Sequence, residues 1–282
     1  MNGCCPKSLF RYCGHPLGPE ERPLENPVFR LLETLTLRVN PPSEFNDPFE
    51  FSPVFDKPVS NSEARARLGS MLNADAQKRG LPSKFAEDLA DVVLSLKQGQ
   101  DDWNFVAQQT VLPALSEHYG VVCFSAVEDH PLMWAHYAAQ HYGVMIEFDT
   151  TAPLFQLFTL VQVDYQSERS RIVPAPNCEF QHIVALAGRK SPAWKYEKEY
   201  RLIVPLNMTR KLKSGNRDIH LLHIESKWIK SVTVGLLASI ETKAEMNKLI
   251  RRPDLAHLHP QRYRIVMHSK TYQLVRERVD HF

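Results

Sequence analysis

The chain has 282 residues, of which 43% are hydrophobic and 23% charged, with a formal net charge of +2. That balance supplies a sizeable core and excludes an overall field that would draw the protein to nucleic acid or to an anionic membrane surface. No apolar run reaches the roughly 18 residues a membrane span needs, and the amino terminus lacks a signal-peptide core, so no membrane role and a cytoplasmic location are expected.

Five cysteines, Cys4, Cys5, Cys13, Cys123 and Cys178, have neither zinc-ribbon spacing nor disulfide-framework density, which points to a reducing compartment.

In chain order, Ser8 to Tyr12 reads as an opening strand, followed by a Gly/Pro-rich turn from Gly14 to Pro27. Val28 to Leu35 predicts a short helix, and Leu35 to Val39 a second strand. Asn40 to Pro53 carries Pro41, Pro42, Asn46-Asp47-Pro48 and Pro53, so it is read as a structured loop. From about 61 to 118 the composition turns to Ala, Leu, Lys, Glu and Gln at helical spacing, which predicts an insertion of two or three helices. Gly120 to Ser125 is a buried strand by its β-branched and aromatic content. A helix from His130 to His141 opens on Pro131, and Tyr142 to Asp149 returns as a strand. Further strands are expected at Leu160 to Tyr165, Tyr196 to Val204, His220 to Ile224, Ile229 to Gly235 and Tyr263 to Met267, with a helix at Ile240 to Arg251. Strands interrupted by one helical block, without regular βαβ alternation, predict an α+β fold with a mixed or antiparallel β core and a single domain over residues 1–282.

The stretch Lys190 to Val204 is the expected centre of the chemistry. Pro192 stops any preceding helix, and the chain is expected to enter a strand near Tyr196. On a regular strand Glu197, Glu199 and Arg201 share one face, with like charges about 7 Å apart. Such a pair opposes joint ionisation unless a cation intervenes, so it either shifts a pKa or holds a cationic ligand. The plainer reading is a solvated strand edge with an exposed ion pair.

Three stretches carry a family resemblance: Phe45-Asn-Asp-Pro-Phe-Glu50; Leu132-Met-Trp-Ala-His-Tyr-Ala138 with His141 to Asp149; and Trp194-Lys-Tyr-Glu-Lys-Glu-Tyr-Arg201. Together with Phe10-Arg-Tyr12, Cys123-Phe-Ser125 and Val232-Thr-Val-Gly235 they resemble the bacterial domain of unknown function numbered 2971, along nearly the whole chain. That family implies no settled activity.

A second, fold-level resemblance is to ADP-ribosyltransferases of the class that uses an arginine on the first strand, a serine ending a second, and a Glu-x-Glu pair near a later strand. Arg11, Ser125 and Glu197-Lys-Glu199 stand in that order. The resemblance implies an NAD-consuming transferase of the bacterial toxin, effector or defence kind, whose acceptor, be it protein, nucleic acid or water, the sequence does not name. Glu199, Glu197 and Ser125 would then be catalytic. Arg11, Tyr12, Asn46, Asp47, Trp134, Tyr137 and Arg201 would bind the nucleotide. The chemistry is coherent, since a cationic sugar needs a fixed anion nearby and a diphosphate needs a bidentate donor. Ser125 stands in Cys-Phe-Ser-Ala, which departs from the Ser-Thr-Ser context of that class.

Duller roles exist for each residue. Ser125 can cap the segment before Pro131, and Asn46 and Asp47 are favoured turn residues. Two other functions stay open: a metal-dependent nuclease or phosphoesterase using Asp47, Glu50, Glu147, Asp149 and a histidine around Mg²⁺ or Mn²⁺, and a module that binds a nucleotide or protein with Trp134, Tyr137 and Trp194 as stacking surfaces.

Overall fold

A computed structural model describes residues 5–14, 27–55, 62, 66, 69, 112–113, 115–172, 179–214 and 217–282. Most of the expected helical insertion lies outside the described residues. The strands in chain order are β1 (Ser8–Cys13), β2 (Thr36–Val39), β3 (Val54–Phe55), β4 (Tyr119–Ser125), β5 (Val144–Asp149), β6 (Thr159–Gln162), β7 (Asp164–Tyr165), β8 (Arg171–Ile172), β9 (Arg189–Lys190), β10 (Glu199–Pro205), β11 (Arg210–Ser214), β12 (Arg217–His223), β13 (Ile229–Val234), β14 (Arg262–Met267) and β15 (Leu274–Arg278). The helices are α1 (Pro27–Thr34), α2 (Pro131–Tyr137), α3 (Leu154–Leu157), α4 (Glu179–Ala187) and α5 (Ile240–Leu249).

The chain divides into two compact units. The first, residues 1–39, 122–163 and 193–282, is built on an eight-stranded sheet in the order β15-β14-β13-β5-β1-β4-β10-β6. The sheet is mixed and mostly antiparallel: β13 and β14 run parallel, while β1 runs antiparallel to both its neighbours. A three-stranded antiparallel sheet, β11-β12-β2, belongs to the same unit. The fold is α+β, as the unalternating order of elements implies.

Side chains alternate across the large sheet. One face carries Leu9, Phe124, Ile146, Phe148, Leu202 and Val232, which pack with Phe29 and Leu32 of α1, Leu37 and Leu222 of the small sheet, and Met246 and Leu249 of α5. The other face carries Phe10, Tyr12, Met145 and Ile265, closed by Met133, Trp134 and Ala138 of α2 and its C-cap. Tyr12 and Trp134 meet edge to face at 5.2 Å.

The second unit, residues 40–121 and 164–192, contains two short parallel ladders, β3 with β8 and β7 with β9, and α4. Phe45 and Phe51 of its proline-rich loop make an edge-to-face pair at 4.8 Å.

Several elements differ from expectation. The helix expected to run to His141 stops at Tyr137, because Ala139, Gln140 and His141 all adopt positive φ (47°, 53° and 73°). The strand expected from Leu160 to Tyr165 is split: β6 pairs with β10, and β7 turns to β9. β3, α3, β8, α4, β9, β11 and β15 are additional; β15 closes an antiparallel hairpin on the strand expected to be last. All but α4 are short or polar segments with little periodicity to reveal them; α4 is a nine-residue, largely apolar helix that the expected elements do not include.

Candidate active site on the central sheet

The strand expected from Tyr196 begins only at Glu199. Pro192–Glu197 forms a 3₁₀ turn, and Lys198 then takes φ 43°, so the chain reverses local hand before entering β10. Glu197 and Glu199 are therefore not successive same-face positions of one strand, which corrects the expected alternation. Glu199 and Arg201 are such positions, and they pair as expected: Arg201 Nε and Nη2 donate to the two carboxylate oxygens of Glu199, each at 2.9 Å. The pair is not a solvated edge. Glu199 is 5% exposed and Arg201 is wholly buried.

Glu197 is also buried, at 2% exposure. Its carboxylate accepts from Tyr137 Oη at 2.5 Å, and its backbone carbonyl accepts from Ser125 Oγ at 2.6 Å. Ser125 Oγ also accepts from the Val127 amide at 3.1 Å, so the hydroxyl shapes the turn out of β4 and holds the 3₁₀ segment against it. Cys123, one alternation back on β4, shares this face. Its thiol is pushed up well above its ordinary value, first by burial and then by the Glu199 charge, against the opposing pull of Arg201 and Arg11. Burial and the carboxylates of Glu197 and Glu199 likewise push the Tyr137 phenol far up, so it stays a donor.

An aromatic cluster adjoins Tyr137, whose ring centroid is 6.3 Å from that of His136. His130 stacks on Tyr196 at 5.1 Å, and His136 approaches Trp194 and Tyr196 at 6.5 and 6.4 Å. Trp194 and Tyr196 are 6.2 Å apart. His136 is exposed, while His130, Trp194 and Tyr196 are half-buried. Of these four rings the sequence singles out Trp194 as a stacking surface; His130, His136 and Tyr196 are signalled only by their placement at the ends of α2 and beside Trp194.

Other expected site residues have different places. Trp134 is wholly buried, with Nε1 donating to the Glu128 carbonyl, so its ring is core and offers no stacking face. Tyr12 is likewise buried, and its hydroxyl donates to the Val127 carbonyl. Arg11 leaves β1 on the side of Leu9 and Cys13, opposite Tyr12. Its Nη1 donates to the Cys123 carbonyl at 2.7 Å. Asn46 and Asp47 belong to the second unit, where Asp47 Oδ1 accepts from the Phe49 amide at 2.9 Å, the turn role their residue types favour.

The carboxylates considered for a metal are engaged elsewhere. Glu147 accepts from Ser8, Ser231 and Arg276 at 2.7, 2.5 and 2.9 Å, Arg276 also reaches Glu128, and Asp149 accepts from the amide and hydroxyl of Thr151. Glu50 is paired with Lys190 at 2.8 Å. Among the described residues no group of three or more His, Cys, Asp or Glu is arranged to hold a metal ion, and no helix is long and apolar enough to cross a membrane.

Residues 133–202 match a family model described as protein of unknown function (DUF2971), a stretch that takes in α2 from Met133 onward, the 3₁₀ turn and the start of β10. No curated protein and no solved structure matches the chain.

Proposed function

With that central stretch assigned to the domain-of-unknown-function 2971 family, we propose that the site binds NAD through its nicotinamide ring and acts as an ADP-ribosyltransferase-like enzyme. The observation that carries the reading is a half-exposed aromatic cluster, Trp194, Tyr196 and His136, that meets the Tyr137 ring, whose hydroxyl holds the buried carboxylate of Glu197. Ring faces and a nearby fixed anion both favour a cation. The oxidised nicotinamide ring is a planar cation, and it leaves as a neutral amide when its bond to ribose breaks.

In this reading the cluster takes the ring, and the carboxylates stabilise the positive charge that develops on the ribose as the ring departs. Arg201 fixes both Glu199 oxygens by its two hydrogen bonds. Tyr137 orients the Glu197 carboxylate. The phosphate-anchoring role expected for Arg11 is left out, because its guanidinium already serves a strand carbonyl.

The test compares NAD with NADH, whose dihydronicotinamide ring carries no charge, by titration calorimetry on wild type and Trp194→Ala. NAD is expected to bind at least about tenfold more tightly than NADH, since a desolvated cation–π contact is worth about 2 kcal/mol, and Trp194→Ala is expected to erase the difference. Equal affinities, or no binding of either, would overturn the proposal.

A further inference from the structure

The second unit holds a cavity that the carboxylate site does not use. It is half-open, about 330 Å³, and lies where the Phe49–Pro53 segment meets the link from β7 to β8 and the end of β9. That size stands at the lower end of small-molecule sites. Its frame is backbone ladders: the Gln166 amide donates to the Lys190 carbonyl at 3.0 Å, and the Val54 amide to the Ser170 carbonyl at 2.8 Å. The walls are thus set by the register of β7 on β9 and of β3 on β8.

The lining is cationic and hydroxylic on one side and aromatic on the other. Arg169, Arg189 and Lys190 line it, with Ser52 and the rings of Phe49 and Phe51. Lys190 is neutralised by buried Glu50 at 2.8 Å. Arg169 is steadied by Ser52, whose hydroxyl accepts from Nη1 at 3.3 Å. Arg189 makes no side-chain hydrogen bond or ion pair among the described residues. Among the described residues Glu168 is the one other charged lining residue, so with the Lys190–Glu50 pair cancelling, two guanidiniums stand with a single further carboxylate. Phe51 is buried, whereas Phe49, on the same lining, is 65% exposed and so presents a ring face at the cavity mouth.

From this we propose that the cavity binds a small phosphorylated ligand carrying a planar ring, a nucleoside monophosphate in class. The phosphate is taken by Arg169 and Arg189, whose planar forks suit its oxygens. The ring lies against Phe49. The site is independent of the aromatic cluster and does not rest on the NAD reading.

The experiment is calorimetry of the full chain with adenosine monophosphate, inorganic phosphate and adenosine, on wild type, Arg189→Ala, Phe49→Ala and Trp194→Ala. Adenosine monophosphate is expected to bind more tightly than phosphate, and adenosine not at all. Arg189→Ala should weaken adenosine monophosphate at least about tenfold, as expected for losing a charge-assisted hydrogen bond, with the melting temperature unchanged because Arg189 holds no other group. Phe49→Ala should weaken adenosine monophosphate but spare phosphate. Trp194→Ala should change neither, which separates this site from the aromatic cluster. Absence of binding, or binding indifferent to Arg189→Ala, would overturn the proposal; binding lost in Trp194→Ala alone would assign the ligand to the other site.

Discussion

Glu199 gives both oxygens to Arg201, and two roles are open to that one contact: a structural ion pair within the sheet and, under the NAD reading, the fixed anion of the site. They are separable by substitution. Glu199→Gln keeps the shape but leaves a buried guanidinium facing a neutral amide, and breaking one side of a buried pair typically costs about 3–5 kcal/mol. A lower urea midpoint is therefore expected whatever the function. Under the NAD reading, nicotinamide release by the folded variant should also fall by roughly 10² to 10³, with NAD binding largely kept. Glu197→Gln, which retains an acceptor for Tyr137, should spare NAD hydrolysis more than transfer to an acceptor. A Glu199→Gln protein that releases nicotinamide at the wild-type rate would confine the pair to its structural role. Glu147 offers a pH test. Burial pushes its carboxyl up, but hydrogen bonds from Ser231, Ser8 and Arg276 outweigh that and hold it below its ordinary 4.5. A depressed folded value contributes stability that is present above 4.5 and is lost as pH falls through the lower folded value. Glu147→Gln should accordingly be less stable than wild type at neutral pH, with the gap closing well below 4.5 in acid-unfolding curves.

The element that departs most from regular geometry is the turn after α2. Three consecutive residues with side chains, Ala139, Gln140 and His141, sit at positive φ, at roughly 1–2 kcal/mol each. The turn survives because its surroundings leave no other path. A Cβ on Gly14 would stand 2.1 Å from the Ala139 nitrogen, and one on Gly235 2.1 Å from the His141 carbonyl oxygen. The amides of Leu237 and Gly143 donate to the carbonyls of His141 and Ala138. Gly235→Ala is thus expected to destabilise by about 3 kcal/mol or more, since backbone and not a flexible side chain must yield. Gln140→Gly should leave stability unchanged or raise it by up to about 1 kcal/mol, because glycine meets positive φ without the Cβ cost. Thermal unfolding of both variants checks the pair, and a destabilised Gln140→Gly would show that the Gln140 side chain contributes more than its backbone costs. The same turn ends α2 at Tyr137, the residue that holds Glu197, so a variant that lets the helix continue should also disturb the carboxylate site.

For the molecule as a whole, each compact unit is drawn from separated parts of the chain. In the second unit, β3 finds its partner β8 more than a hundred residues later, and β7 and β9 close around α4. A piece containing residues 40–121 alone lacks those partners, so limited proteolysis should release no stable fragment ending near residue 60 or 118; a folded fragment of that kind would show that residues 40–121 are sufficient by themselves. Much of the element order was legible beforehand. β1, β4, β5 and β13 announce themselves by β-branched and aromatic runs, and α5 is headed by Ser239, whose hydroxyl accepts from the Thr242 amide. The α+β class followed from that order, and the Glu199–Arg201 pair from a spacing of two. What composition and periodicity could not give was hand and partner. Whether Glu197 lies on the strand depends on one backbone reversal at Lys198, and Trp134 and Trp194 look alike in sequence although one is wholly buried and the other half-buried. Sequence alone determined which side chains can meet within a strand or helix, because local periodicity is a property of the backbone. Only the tertiary structure decided that Ser125 would hold Glu197, that Arg11 would serve a neighbouring strand's carbonyl, and that Arg169 and Arg189 would line one cavity, because those meetings depend on which distant strands pair and in what register.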